Sequence, residues 1–351
     1  MKRVVALVVS LMAAGAQAAS PSSGGEAEGA RLFKARCEKC HLARPPGGDD
    51  LLSLEEVEGP DLSFAGSRLR PEWVESWLTA PARIRPAGWL PYRYVVPTEA
   101  GDRVDVARLP AHPPLSPEEA RKASAYLATL KREPNPHPLV EPNPSIRAQV
   151  HFSKLLPCGG CHQAAPGQGG MSGPELHTSG ARLDAEWMGA FLSEPGYWQQ
   201  GLMPRTDARA DQLAAIVQFL LRPREEAATP ARATVEVLPL VAIAPVPKPK
   251  GRAEHLYRLL CSQCHGVLGN GRGINARSLF VAPRNHRSSQ EMSGLTRDSV
   301  ITAIRSGGSA VGKSTLMPPW GSVLGRADIE LLAEHVLTLS GESASPGDRR
   351  P

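Results

Sequence analysis

Cys261–His265 reads CSQCH, and the same pattern stands twice upstream, as CEKCH at Cys37–His41 and CGGCH at Cys158–His162. Each copy sets two cysteines one helical turn apart with a histidine directly after them. That arrangement can form thioethers to the two vinyl groups of one haem while the histidine binds the iron from the proximal side. Zinc sites and redox dithiols also use paired cysteines, but neither asks for a histidine after every pair. The chain has six cysteines, and the three motifs use all of them. The sequence therefore points to three covalently bound haem c groups, held by Cys37, Cys40, Cys158, Cys161, Cys261 and Cys264, with His41, His162 and His265 as proximal iron ligands.

Spread over 351 residues, the three motifs predict one small unit around each haem. Units of about 80 to 110 residues with few aromatics have little core of their own, so the porphyrin is expected to supply much of it and the apo-protein to fold poorly. The 40 Lys and Arg exceed the 35 Asp and Glu by 5, and Lys2 and Arg3 belong to the leader. Six haem propionates oppose that excess, and no basic cluster is interleaved with aromatics, which argues against a nucleic-acid partner. The opening run MKRVVALVVSLMAAGAQA, residues 1–18, reads as a cleavable secretory signal, with a basic start, a short apolar stretch and Ala16-Gln17-Ala18 before the cut. No other stretch is long and apolar enough to span a membrane, so the expectation is an exported, periplasmic protein.

Working outward from Cys37, the run AEGARLFKARCEKCH puts Gly29, Phe33 and Cys37 on one helical face. This run resembles the N-terminal helix of class I cytochromes c, which crosses a C-terminal helix carrying an aromatic. The resemblance implies an all-α fold of three tandem class I cytochrome c domains joined by Pro-rich linkers. The expected partner helix in unit one is Pro117–Leu130, capped by Ser116 and with Tyr126 at the crossing. The same resemblance makes the carbonyl of Pro60, in GPDL, the acceptor for the proximal histidine's Nδ1 proton. Unit two repeats the layout with GPEL at Gly173–Leu176, and RLDAEWMGAFLSEP at Arg182–Pro195 matches RLRPEWVESWLTAP at Arg68–Pro81, so that Trp187 corresponds to Trp73. Phe219 is its expected aromatic, but Lys154 stands four residues before Cys158 where an aromatic belongs, with Phe152 as a substitute. In unit three Tyr257 fills that slot, His335 stands where Tyr126 and Phe219 do and is expected to pack, and Pro283 is the candidate carbonyl for His265. The boundaries read as 25–132, 145–223 and 251–341, with linkers at 133–144 and 224–250 and a tail at 342–351.

A sixth, thioether ligand raises a haem's potential by favouring ferrous iron. Met317 in LMPPWG and Met203 in LMPR both precede the last helix of their unit, as the axial methionine does in class I cytochromes. Met188 reads as core, and Met171 and Met292 precede the helix the ligand should follow. Unit one has no methionine; Leu90-Pro91 or Leu109-Pro110 stands in its place. Its sixth position is left to three alternatives: His112 in RLPAHPP, an open or weakly ligated iron, or another group such as His137 or a lysine. The segment Tyr92–Ala111 is unique to this unit and is expected to shape its pocket or dock a partner.

Together these residues suggest a non-catalytic electron carrier working between a membrane respiratory donor and a terminal oxidase or reductase. Unit three resembles the cytochrome c subunits that accompany quinol-oxidising cytochrome b complexes, which makes such a complex the leading partner. The rival is a haem peroxidase or small-gas-binding enzyme with unit one as its open haem.

Overall fold

The computed structural model describes residues 23–43, 51–132, 143–198, 202–222, 242–244, 246 and 248–341. The leader, most of both linkers and the tail lie outside these residues.

In unit one the run before Cys37 forms the helix Ser23–Arg36. Its partner, Pro117–Thr129, is entered through a reciprocal cap between Ser116 and Glu119 with proline at its start. The two helices cross at Gly29, where a Cβ would run into the carbonyl oxygen of Lys122. Phe33 meets Tyr126 beside the crossing, ring centroids 5.5 Å apart. The pairing recurs in unit two between Phe152 and Phe219 at 6.0 Å, and in unit three between Tyr257 and His335 at 5.3 Å. Unit two reaches it by a different register, with the aromatic six residues before Cys158 instead of four; a π-type turn, His151–Leu155, lies there, as Tyr257–Cys261 does in unit three. Phe152 is thereby buried to 2% exposure while Lys154 is left on the surface.

The repeated stretches of units one and two form the helices Pro71–Thr79 and Ala185–Ser193. The residues leading into them meet one another. Leu69 and Leu183 form an antiparallel bridge, the Arg70 amide donates to the Arg182 carbonyl at 3.0 Å, and the Asp184 amide donates to the Arg68 carbonyl at 2.9 Å. Donors and acceptors are equivalent positions of the repeat, so the contact is reciprocal, like the self-matching surface of a two-fold dimer. Phe64 of unit one, 1% exposed, completes the core of unit two against Trp198 and Trp187, at 5.8 and 6.4 Å. Met188 lies in that core, as expected.

Unit three packs Leu256, Leu259, Ile329 and Leu332 at its centre, and Leu51, Leu54 and Leu90 of unit one join the same core. The all-α expectation is corrected here by two short antiparallel hairpins, Val95–Thr98 with Gly101–Val104 and Gln163–Ala165 with Gln168–Gly169. The adjacent Val95 and Val96 favour extended backbone, and the turn closes on Gly101 at φ +105°, which glycine adopts without strain. This first hairpin is the segment unique to unit one, and it docks within the chain on unit three. The Asp102 amide donates to the Arg272 carbonyl at 2.7 Å, the Val267 amide donates to Asp102 Oδ2 at 2.8 Å, and Arg277 reaches the Ala100 carbonyl at 2.8 Å.

Asp102 is 5% exposed, and burial pushes its carboxyl up to about 7. Below about pH 4 the acid is neutral in both folded and unfolded chains. As the pH rises, the unfolded chain ionises first, so stability falls until the buried group ionises near 7 and stays at the lower level above it. Asp102→Asn keeps an acceptor for Val267 and removes that decline. Thermal unfolding should show the variant gaining on the wild type from about pH 4 to about pH 8, by at most about 4 kcal/mol; a difference independent of pH would contradict the assignment.

Candidate haem sites

All three motif histidines are held in one way. Their Nδ1–H groups donate to a backbone carbonyl: His41 to Pro60 at 2.9 Å, His162 to Pro174 at 2.8 Å and His265 to Arg284 at 3.0 Å. Each bond fixes the ring and leaves Nε2 as the basic, metal-binding nitrogen. Unit three corrects the expectation of Pro283 by one residue, because Arg284-Asn285 takes the place held by Pro60-Asp61 and Pro174-Glu175. Gly59 and Gly173 lie against the imidazoles, where an added Cβ would come within 2.5 Å of His41 Cε1 and 2.6 Å of His162 Cε1.

Burial lowers the proton affinity of all three rings, taking His162 down to about 4, which keeps them in the neutral form that binds metal. The same burial pushes the Cys158 and Cys261 thiols up to about 12 and Cys264 higher still. These are not the acidic, exposed thiols of a redox dithiol.

The surroundings fit a group that brings carboxylates with it. Between units one and two, burial pushes Arg68 and Arg85 down to about 10, and neighbouring guanidinium charges, Arg182 for Arg68 and both Arg68 and Arg182 for Arg85, add to the shift. Arg182 lies 3.8 Å from Glu175. Among the described residues, the buried donors Arg68 Nε, Trp187 Nε1 and Trp198 Nε1 have no acceptor. Haem propionates carry the charge and the acceptor oxygens that such donors need. Haem held through these cysteines and histidines would supply an iron that cycles between ferrous and ferric, and the chain's own part is to fix and bury the ligands.

The sixth-ligand candidates are less uniform. Met317 is half-buried in a loop closed by the Gly308 amide donating to its carbonyl at 3.0 Å, with Gly307 at φ +80° making the turn. Met203 is half-buried in a loop tied to unit three, where the Arg205 amide donates to Ser322 Oγ at 3.0 Å. In unit one Leu90, 1% exposed, has gone into the core of unit three. His112 lies beside His41, their ring centroids 6.2 Å apart, with Trp77 at 4.7 Å from His112, whose Nδ1 bonds the Pro113 carbonyl at 3.0 Å. A metal shared by two imidazoles would lie about 2 Å from a nitrogen of each, and this separation leaves room for one between the rings. His137 lies outside the described residues.

Sequence reasoning missed His286, whose ring stacks on His265 at 4.2 Å and 17° while the Tyr257 hydroxyl lies 3.1 Å from its Nδ1. No motif marks it. Arg68 and Arg182 did carry a signal, as equivalent residues of the repeat, but only as part of a helix.

Residues 250–336 match the family model described as cytochrome C oxidase, cbb3-type, subunit III. No curated protein and no solved structure matches the chain. None of the described helices is long and apolar enough to cross a membrane. The matched region supports a c-type cytochrome, in which a cytochrome c domain binds haem c covalently and serves haem-based electron transfer with redox protein partners.

Proposed function

We propose that the chain is a tri-haem electron carrier of the periplasm, with three tandem cytochrome c domains at 25–132, 145–223 and 251–341. It would pass single electrons from a membrane donor, with a quinol-oxidising cytochrome complex as the leading candidate, towards a terminal oxidase or reductase. One observation carries the reading: three CxxCH motifs each have their histidine pinned through Nδ1 to a carbonyl within 2.8–3.0 Å. The family match reaches only the third of them, and the geometry of the other two repeats it. Met317 and Met203 are the proposed sixth ligands of units three and two. The 6.2 Å separation of His41 and His112 supports bis-histidine ligation in unit one over the open iron that an enzyme would need.

Intact mass of the mature protein, matured by a competent cytochrome c assembly system, should show three covalent haems and an N-terminus near Ala19. Two haems or fewer would refute the assignment.

Met317→Ala and Met203→Ala should each lower the potential of a different haem and remove part of the near-infrared band of methionine-ligated ferric haem, since axial identity spreads haem potentials over about 0.8 V. An intact band in the double variant would mean that the wrong sulfurs have been chosen.

In unit one, His112→Ala should turn a low-spin haem into a high-spin one that binds carbon monoxide. Wild type that already binds carbon monoxide at one haem would favour the open-site reading, and a variant that stays fully low-spin would exclude both.

A further inference from the structure

The attachment sites of units two and three face each other across a buried polar contact. Asn275, fully buried, accepts through Oδ1 from the amides of Met171 at 2.9 Å and Ser172 at 3.3 Å. Its Nδ2 donates one proton to Ser172 Oγ at 2.8 Å and directs the other to Cys264 Sγ at 3.9 Å. Ser172, 5% exposed, is in turn tied to Cys161 through the next residue, since the Gly173 amide donates to the Cys161 carbonyl at 2.8 Å. Asn275 and the Ser172–Gly173 backbone thus join the second cysteine of unit two to the second cysteine of unit three. The two chain segments are in contact around this bridge: a Cβ at Gly160 would lie 3.0 Å from the Leu316 carbonyl, and Ser278 Oγ donates to the Gly169 carbonyl at 2.8 Å.

Every hydrogen-bonding group of Asn275 is used, so the bridge is a fixed, fully satisfied network rather than a polar residue stranded in the interior. The Cys264 thiol stands where the thioether sulfur of attached haem would be, and a thioether sulfur still accepts from Asn275. Electron tunnelling decays more slowly through hydrogen-bonded atoms than across a gap of the same length.

We propose that Ser172 and Asn275 are the electronic link between units two and three, making these the fast-exchanging pair of the chain; this rests on the tri-haem reading above. The exchange moves one electron, oxidising the ferrous iron bound by His162 and reducing the ferric iron bound by His265, with no proton transferred and no bond broken. Ser172 and Asn275 act through the cysteines, as positioning residues.

The test is the rate of internal electron equilibration after pulse radiolysis of the partly reduced holoprotein, with haem mass and potentiometry beside it. Ser172→Ala should slow the exchange between units two and three several-fold while three haems, their potentials and the melting temperature are unchanged, and Ser172→Thr, which keeps the hydroxyl, should restore it. If Ser172→Ala fails to mature, Asn275→Asp keeps an acceptor for both amides, replaces the donor towards Ser172 and Cys264 with a carboxylate oxygen, and should slow the exchange likewise. An unchanged rate in the fully loaded variant overturns the link and leaves the tri-haem reading standing. A wild-type mass lacking haem at either motif overturns both.

Discussion

Everything in this chain hangs on a bond from an imidazole Nδ1–H to a backbone carbonyl, made three times. It decides which ring nitrogen is left able to bind a metal, and it anchors each motif histidine to a loop 12 to 19 residues further on. Burial then keeps the rings neutral and Cys158 and Cys261 as thiols, so these sites are suited to receive a cofactor rather than to act as redox dithiols.

Around those anchors the three units solve their shortage of core by sharing. Phe64 leaves unit one for the tryptophan cluster of unit two, and Leu51, Leu54 and Leu90 leave it for unit three. Unit one gives away most and also carries the extra hairpin, whose Asp102 caps the Val267 amide two residues beyond His265. A segment that looks in isolation like an adornment of one pocket therefore supports another.

The parts that were legible in the sequence are local ones. A cap, a helix face and a CxxCH spacing are written within a few neighbouring residues, so Ser116 could be read directly, whereas Phe33 crossing Tyr126 and the Pro60 carbonyl came from the resemblance to class I cytochromes c. Even the irregular slot at Lys154 was resolvable, because Phe152 was the one aromatic near enough to replace it. Contacts between units were not legible, since nothing in RLRPEW states that it will pair with RLDAEW, nor in VVPTEAGDRV that its acid will be buried under a different motif. The shift from Pro283 to Arg284 failed for a related reason: proline attracts notice, but a carbonyl is supplied by any residue that the loop places correctly.

The reciprocal pairing of residues 68–70 with 182–184 bears on how such a chain could have arisen and how it stays monogamous. Because backbone donors and acceptors match under exchange of the two units, one ancestral unit could have embraced its own twin before the genes were joined. The side chains have since diverged, with Arg70 on one side and Asp184 on the other. Two copies of unit one brought together would set Arg68 against Arg70 at both facing positions, whereas the existing pairing sets Arg68 against Asp184 at one of them. The seam of unit one thus discourages a second copy of itself and favours the neighbour to which it is tethered.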